Sequence, residues 1–453
     1  MDVSLILTHR CNFSCGYCYA GEHHKTDIDD RVLRRAVDLL YSDGVDRAQL
    51  SFFGGEPFLA FDAMRRATAL AEGRAEEKGK RLILQCTSNG SLIREEQLAF
   101  ILEHDMRVTV SIDGVREAHD QNRPCAGGKP SFDVVHAGLR TLIDAGAPVD
   151  ALMVITPQTA SYAYLSANFL WTEGVKTVRA NLALNESWTA EQRAELREQL
   201  VSIGWELLAR RMRGEDVRFQ PFDAGMREFH QRAEPPRRSA EPARAKVVVG
   251  TTGNLYPCGP MVGEDRDDGP EAELRLGHID MDPAAIKAAV TTDGVACEKG
   301  KGCQCAAYLE TGSRYTAGAM GRWYGTVCRE VGATIAESLA RHELTAPRAP
   351  RRRRFMVGLA AIVGGAAIGA PLLSGLLAED DLPRPCRLRT RKSVVPYPED
   401  LQPPGAVAVP VDIPPPGGLS APEFIPPPEP EAMIDGELAI PEPLIEGDMM
   451  EPE

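Results

Sequence analysis

Cysteine is scarce in this sequence, with 11 in 453 residues, an odd number. That density is too low for a small secreted scaffold stapled by disulfides. Excess positive charge is also missing. The chain has 51 Lys and Arg against 65 Asp and Glu, a formal charge of −14. This argues against a nucleic-acid partner held by general phosphate neutralisation. No long apolar run opens the chain, since Met1-Asp2-Val3-Ser4 leads straight into a strand-like segment, so no N-terminal signal peptide is expected. The length suits two to three domains with sizeable cores.

What is present is unevenly distributed. Short apolar runs at Val3–Leu7, Gln49–Phe53, Arg81–Gln85, Arg107–Ile112, Val149–Ile155 and Thr177–Asn181 read as strands. Helical periodicity falls between them at Arg31–Tyr41, Phe61–Lys78, Arg94–His104, Phe132–Asp144 and Tyr162–Glu173. Such alternation predicts a parallel α/β sheet, and the repetition in one direction suits a partial (β/α)6 barrel of the TIM type. An open doubly wound sheet would produce the same alternation. The expected organisation is a barrel core at 1–185, a helical linker at 186–245 and a small α+β cysteine-bearing domain at 246–345. A membrane-crossing or export-signal-like segment at 351–378 and a disordered Pro-rich tail at 379–453 would follow.

Directly after the first strand stands Cys11-Asn12-Phe13-Ser14-Cys15-Gly16-Tyr17-Cys18, a C-x3-C-x2-C triplet. Three thiolates this close hold either one iron–sulfur cluster or, with a fourth ligand, a zinc ion. His23 or His24 could supply that fourth ligand. A four-iron cluster on three cysteines would leave one iron open to a cofactor. Further motifs follow in order at successive strand ends: Gly54-Gly55-Glu56-Pro57, Thr87-Ser88-Asn89-Gly90 and Ser111-Ile112-Asp113-Gly114, then His119 to Arg123. A barrel places its active-site loops at those ends.

Together these motifs resemble the signature of radical S-adenosylmethionine (SAM) enzymes over roughly residues 1–330. The resemblance implies a [4Fe-4S] cluster on Cys11, Cys15 and Cys18 whose open iron chelates the methionine part of SAM. In such enzymes reductive cleavage of SAM releases a 5′-deoxyadenosyl radical that abstracts hydrogen from the substrate. By the same resemblance Gly54, Gly55 and Glu56 face the methionine amino group, Tyr17 lies against the adenine, and Ser111 and Arg123 serve the ribose and carboxylate.

A second cysteine region begins at Gly253-Asn254-Leu255-Tyr256-Pro257-Cys258 and continues through Leu276-Gly277-His278-Ile279, Cys297, Cys303, Cys305 and Cys328. It resembles a SPASM domain, the auxiliary-cluster extension of many peptide-modifying radical SAM enzymes. Five thiols are fewer than a full SPASM domain uses, and the position usually holding its first thiol falls in Val247-Val248-Val249. One auxiliary [4Fe-4S] cluster is the expectation, with its four ligands among the five left open. Cys86 reads as a small buried residue, and Cys125 lies in a loop.

Arg351–Arg354 precede 24 uncharged residues, Phe355–Ala378, long enough to cross a bilayer. The arginines would stay inside and the tail outside, giving a membrane-anchored protein with a cytoplasmic catalytic part. Alternatively the segment resembles a twin-arginine export signal. The tail holds 18 of the 34 prolines and a net charge of −11, leaving −3 for the rest. It repeats: Met433-Ile434-Asp435-Gly436-Glu437 recurs as Leu444-Ile445-Glu446-Gly447-Asp448. The expected function is therefore a radical SAM/SPASM-type maturase acting on a peptide or protein, either this tail or something like it, with an external electron donor. Formylglycine formation of the anaerobic sulfatase-maturating type is an alternative. So is a non-catalytic, membrane-tethered iron–sulfur protein for electron transfer or peptide binding.

Overall fold

The structure, a computed structural model, describes residues 1–345 apart from 22, 43–45, 234–245, 267–268, 295–302 and 317. Its centre is one ten-stranded sheet. In chain order the strands are β1 (Asp2–Ile6), β2 (Arg47–Phe53), β3 (Arg81–Ser88), β4 (Arg107–Ser111) and β5 (Val149–Ile155), then β6 (Thr177–Leu182), β7 (Arg218–Phe219), β8 (Lys246–Val249), β9 (Asn254–Tyr256) and β10 (Gly277–His278). Their spatial order is β10-β9-β8-β1-β2-β3-β4-β5-β6-β7. Every pair from β8 and β1 through to β6 and β7 is parallel, whereas β9 pairs antiparallel with both β8 and β10. The order from β1 to β7 never reverses, so the switch point of a doubly wound sheet does not occur.

Local chemistry explains the connecting helices. Asp29 accepts the Val32 amide at the start of helix Asp30–Leu40, satisfying a donor that the first turn leaves open. That helix buries Val32, Leu33, Ala36, Val37, Leu39 and Leu40, the stripe expected at helical spacing. Helix Phe61–Lys78 ends on Gly79 at φ 60°, a left-handed position that glycine adopts without a Cβ penalty. Thr189 and Gln192 form a capping box at the head of helix Ala190–Met212. Helix Ala319–Thr345 packs closely on its neighbours, for a Cβ at Gly332 would come within 2.2 Å of the Phe222 carbonyl oxygen.

The expected fold is corrected in two respects. The second cysteine region is no separate α+β body beside a barrel: Val247–Val249 pair in register with Val3–Leu5, so the region extends the same sheet and makes it mixed. The linker expectation likewise missed β7, which pairs with β6. The second correction concerns the membrane. Among the described residues no helix is long and apolar enough to cross a bilayer, and 351–378 lies outside them. Eleven of the 24 residues in Phe355–Ala378 are Gly or Ala, so the run is long but carries little apolar area. The transmembrane helix and the membrane-anchored placement are withdrawn. The tail also lies outside the described residues.

Candidate active site

The carboxyl ends of the parallel strands open on a cavity of about 880 Å³. Cys11, Cys15 and Cys18 line it, on the loop that leaves β1. From Arg10 to Ala20 that loop has little apolar content to anchor it; Phe13 is the one buried residue of the stretch, at 1% exposure. Hydrogen bonds to the neighbouring strand ends hold it instead. The Gly55 amide donates to Thr8 O at 2.9 Å and the Glu56 amide to Arg10 O at 2.8 Å. Asn89 Nδ2 donates to Asn12 Oδ1 at 2.8 Å, and Asn12 Nδ2 to Ser91 Oγ at 2.9 Å. The Ser14 and Gly16 amides donate to the Pro124 and Asn122 carbonyls.

The glycine turn is tight for a definite reason. Gly54 sits at φ 135°, and a Cβ on Gly55 would lie 2.2 Å from Arg10 O. Both glycines line the cavity. Glu56 does not: it is 0% exposed and accepts from the Phe58 amide, Ser88 Oγ and the Asn89 amide at 3.2, 2.9 and 2.7 Å. It therefore clamps the GGEP turn to the SNG turn. Burial pushes its carboxyl up to about 7, against the pull of those three donors.

Ser111, Tyr17 and Arg123 line the cavity as well. Behind them Asp113, 2% exposed, accepts the Tyr17 hydroxyl at 2.9 Å and the Val154 amide at 2.8 Å. It also pairs with Arg123 at 2.9 Å, whose guanidinium lies 5.2 Å from the Tyr17 ring centroid. Asp113 is thus the hub that sequence reasoning left without a role. The burial of Arg123 disfavours its charge, but Asp113 more than compensates and its pKa lies above the usual range.

The donor set fits a cluster better than a nucleophile or a closed zinc site. Burial pushes the Cys11 and Cys15 thiols up to about 12 and 11; without a metal they would be neutral and inert at pH 7. Among the described residues no three His, Cys, Asp or Glu side chains converge on one metal-ion position. His23 Nε2 lies 3.5 Å from Cys18 Sγ, while His24 is turned to Thr26 and Glu264. A cubane asks for less convergence, because each thiolate binds its own iron.

Of the second set, Cys258, Cys303 and Cys305 line the same cavity, with the sulfurs of Cys303 and Cys305 2.8 Å apart. Cys328 does not join them: it is 2% exposed in the main core, beside Tyr324. Cys297 lies outside the described residues. Cys86 is 1% exposed in the core. Cys125 forms an isolated bridge with Phe13 and is not part of the cavity wall. Tyr19, which sequence reasoning passed over, lines the cavity, and burial followed by Cys258, Cys18 and Cys305 raises its hydroxyl well above the ordinary range. Its place beside Cys18 in the triplet was the available signal.

Residues 5–170 match the family model described as the Radical SAM superfamily. An uncharacterised protein of Methanocaldococcus jannaschii is 30% identical over 178 residues, 39% of this chain and 61% of that protein. A serine-type anaerobic sulfatase-maturating enzyme of Bacteroides thetaiotaomicron is 30% identical over 168 residues, 35% of this chain and 40% of that enzyme. The chain thus spans less than two thirds of the length of these curated relatives. The solved structure of native anSMEcpe with bound AdoMet superposes with a TM-score of 0.62 at 19% identity, over 76% of this chain and 99% of its own. At that identity the likeness is one of fold. Residues 5–170 are a radical SAM domain.

Proposed function

We propose that this chain is a radical SAM enzyme that cleaves SAM reductively and abstracts hydrogen from a peptide or protein to install a modification or crosslink. The observation that carries this reading is the convergence of two cysteine sets, the Gly54–Gly55 turn, Ser111 and Arg123 on one cavity of about 880 Å³. The radical SAM match over 5–170 supports it. So does similarity to enzymes named for maturing sulfatases, and anSMEcpe has also been solved with a bound Cp18Cys peptide.

When bound, the cluster and SAM supply a carbon radical able to take a hydrogen atom, and the protein supplies placement and exclusion of water. Cys11, Cys15 and Cys18 hold the cluster. The bare Gly54–Gly55 backbone admits the methionine end of SAM, and the Arg123 guanidinium, fixed by Asp113, receives its carboxylate. Tyr17 presents its ring, with the hydroxyl tied back to Asp113. Cys258, Cys303 and Cys305 hold an auxiliary cluster with a fourth ligand. An external donor supplies the electron, and a peptide like the tail repeat Met433–Glu437 is the first substrate to try. A narrower reading, oxidation of a Ser or Cys to formylglycine, is favoured by the similarity to serine-type and cysteine-type anaerobic sulfatase-maturating enzymes.

The test is anaerobic reconstitution with SAM and a reductant. Formation of 5′-deoxyadenosine is expected, and a chain that binds iron yet forms none refutes the enzymatic reading. Mass spectrometry of the peptide then separates a crosslink from formylglycine.

A further inference from the structure

Two tyrosines flank Cys18, and their hydroxyls go different ways. That of Tyr17 donates to Asp113 at 2.9 Å, behind the cavity wall. Tyr19 also lines the cavity, but among the described residues its hydroxyl has no hydrogen-bond partner. Packing alone would be served as well by phenylalanine. The phenol oxygen carries a donor that is protonated at neutral pH and needs an acceptor.

The position of that oxygen says where the acceptor lies. A Cβ on Gly259 would stand 3.8 Å from the Tyr19 hydroxyl and 3.4 Å from Phe53 Cε1. The hydroxyl therefore reaches the residue directly after Cys258, and glycine there puts no side chain in its way. Of the thiols that act on Tyr19 electrostatically, Cys258 comes first, ahead of the chain neighbour Cys18, and Cys305 follows. Cys258 and Cys305 pack against one small apolar cluster that includes Ile6, Tyr256 and Met261. In such surroundings a hydrogen bond is electrostatically stronger than in water. Tyr19 thus starts from the loop of the first thiol set and ends beside the second.

We infer that Tyr19 is a positioning residue of the second thiol set: its hydroxyl donates to the Cys258 thiolate when that set holds a cluster, and so raises the reduction potential of the site. The inference rests on the auxiliary-cluster reading above and deepens it. The sign follows from charge. Reduction makes the thiolate-bound group more negative, and a donated hydrogen bond stabilises the more negative state.

The test uses the full-length chain with Cys11, Cys15 and Cys18 replaced by alanine, reconstituted anaerobically with iron and sulfide, so that the signal comes from the second set. Its potential is read by redox titration followed by electron paramagnetic resonance. Tyr19→Phe should lower that potential by about 59 mV, a tenfold change in a one-electron equilibrium, at unchanged iron content. Tyr17→Phe removes a hydroxyl bound elsewhere and should leave the potential where it was. Should the triple replacement prevent folding, the same variants are compared with the triplet intact, where the signal that added SAM leaves unperturbed belongs to the second set. An unmoved potential in an iron-replete Tyr19→Phe chain, or an equal shift from Tyr17→Phe, overturns the inference alone. A folded chain without the triplet that binds no iron overturns the auxiliary-cluster reading and the inference with it. Neither result depends on SAM cleavage, so absence of 5′-deoxyadenosine counts against the enzymatic reading alone.

Discussion

Replacing Glu56 with glutamine tests whether this motif residue acts as a buried clamp. In the folded chain its carboxyl is raised from 4.5 to about 7, chiefly by burial. The folded state therefore holds the proton more tightly than the unfolded state does. The resulting stability is complete below about pH 4.5 and is lost as the pH rises through about 7. That interval amounts to about 3 kcal/mol. Glutamine does not titrate, so the Glu56→Gln variant lacks this dependence. Its amide nitrogen fits only opposite Ser88 Oγ, which turns to accept. The oxygen keeps the Asn89 amide, and the Phe58 amide loses its partner at a cost of about 1–3 kcal/mol at every pH. The variant should therefore be the less stable protein at pH 5 and about equal to the parent at pH 8. At about 2.1 cal/mol/K per residue over the described residues, the gap in melting temperature should change by roughly 4 °C. The assay is paired thermal melts of the two metal-free, reduced proteins at both pH values. A gap that stays the same would refute the argument that burial dominates at Glu56.

Two further substitutions probe the rest of the site. Asp113→Asn leaves the buried Arg123 without its counter-charge, which should cost about 3–5 kcal/mol and weaken SAM binding measured by calorimetry; unchanged stability and affinity would show that Arg123 finds another partner. Cys328→Ala should leave iron per chain unchanged, because Cys328 is packed in the core, whereas Cys258→Ala should lower it; a loss of iron in the Cys328 variant would make that thiol a ligand.

The regular elements were legible wherever a period had room to repeat. Helices Phe61–Lys78 and Phe132–Asp144 and strand Val149–Ile155 lie where their apolar spacing places them. Short pieces were not legible. β7 spans two residues, and helix Arg116–Asn122 is under two turns long, too little for a pattern. β8 failed for another reason. Val247-Val248-Val249 reads as a strand in any context, but besides the nearby β9 it pairs with β1, more than 240 residues earlier, and no local signal carries a pairing of that range. Cys328 shows the same limit at the scale of one side chain. Its spacing groups it with Cys303 and Cys305, yet spacing has no direction, and the helix turns its thiol into the core.

The motifs themselves were legible as residue types but not as roles. Gly54, Gly55, Asn89, Ser111 and Arg123 line the cavity; Glu56 and Asp113 stand behind it and, with Asn89, tie one strand end to the next. The division follows from what the cysteine loop lacks. With Phe13 as its one buried apolar anchor, the loop cannot be positioned by packing and must borrow order from its neighbours. Glu56 links the ends of β2 and β3, Asn89 links β3 to Asn12, and Asp113 links β4 to Tyr17 within the triplet. The Glu56 amide also holds Arg10 O, so with Asn12 and Tyr17 the loop is held at three points. Disrupting any link should therefore lower iron retention even though none of these side chains is a thiol. Loss of iron on mutation does not by itself identify a ligand at this site.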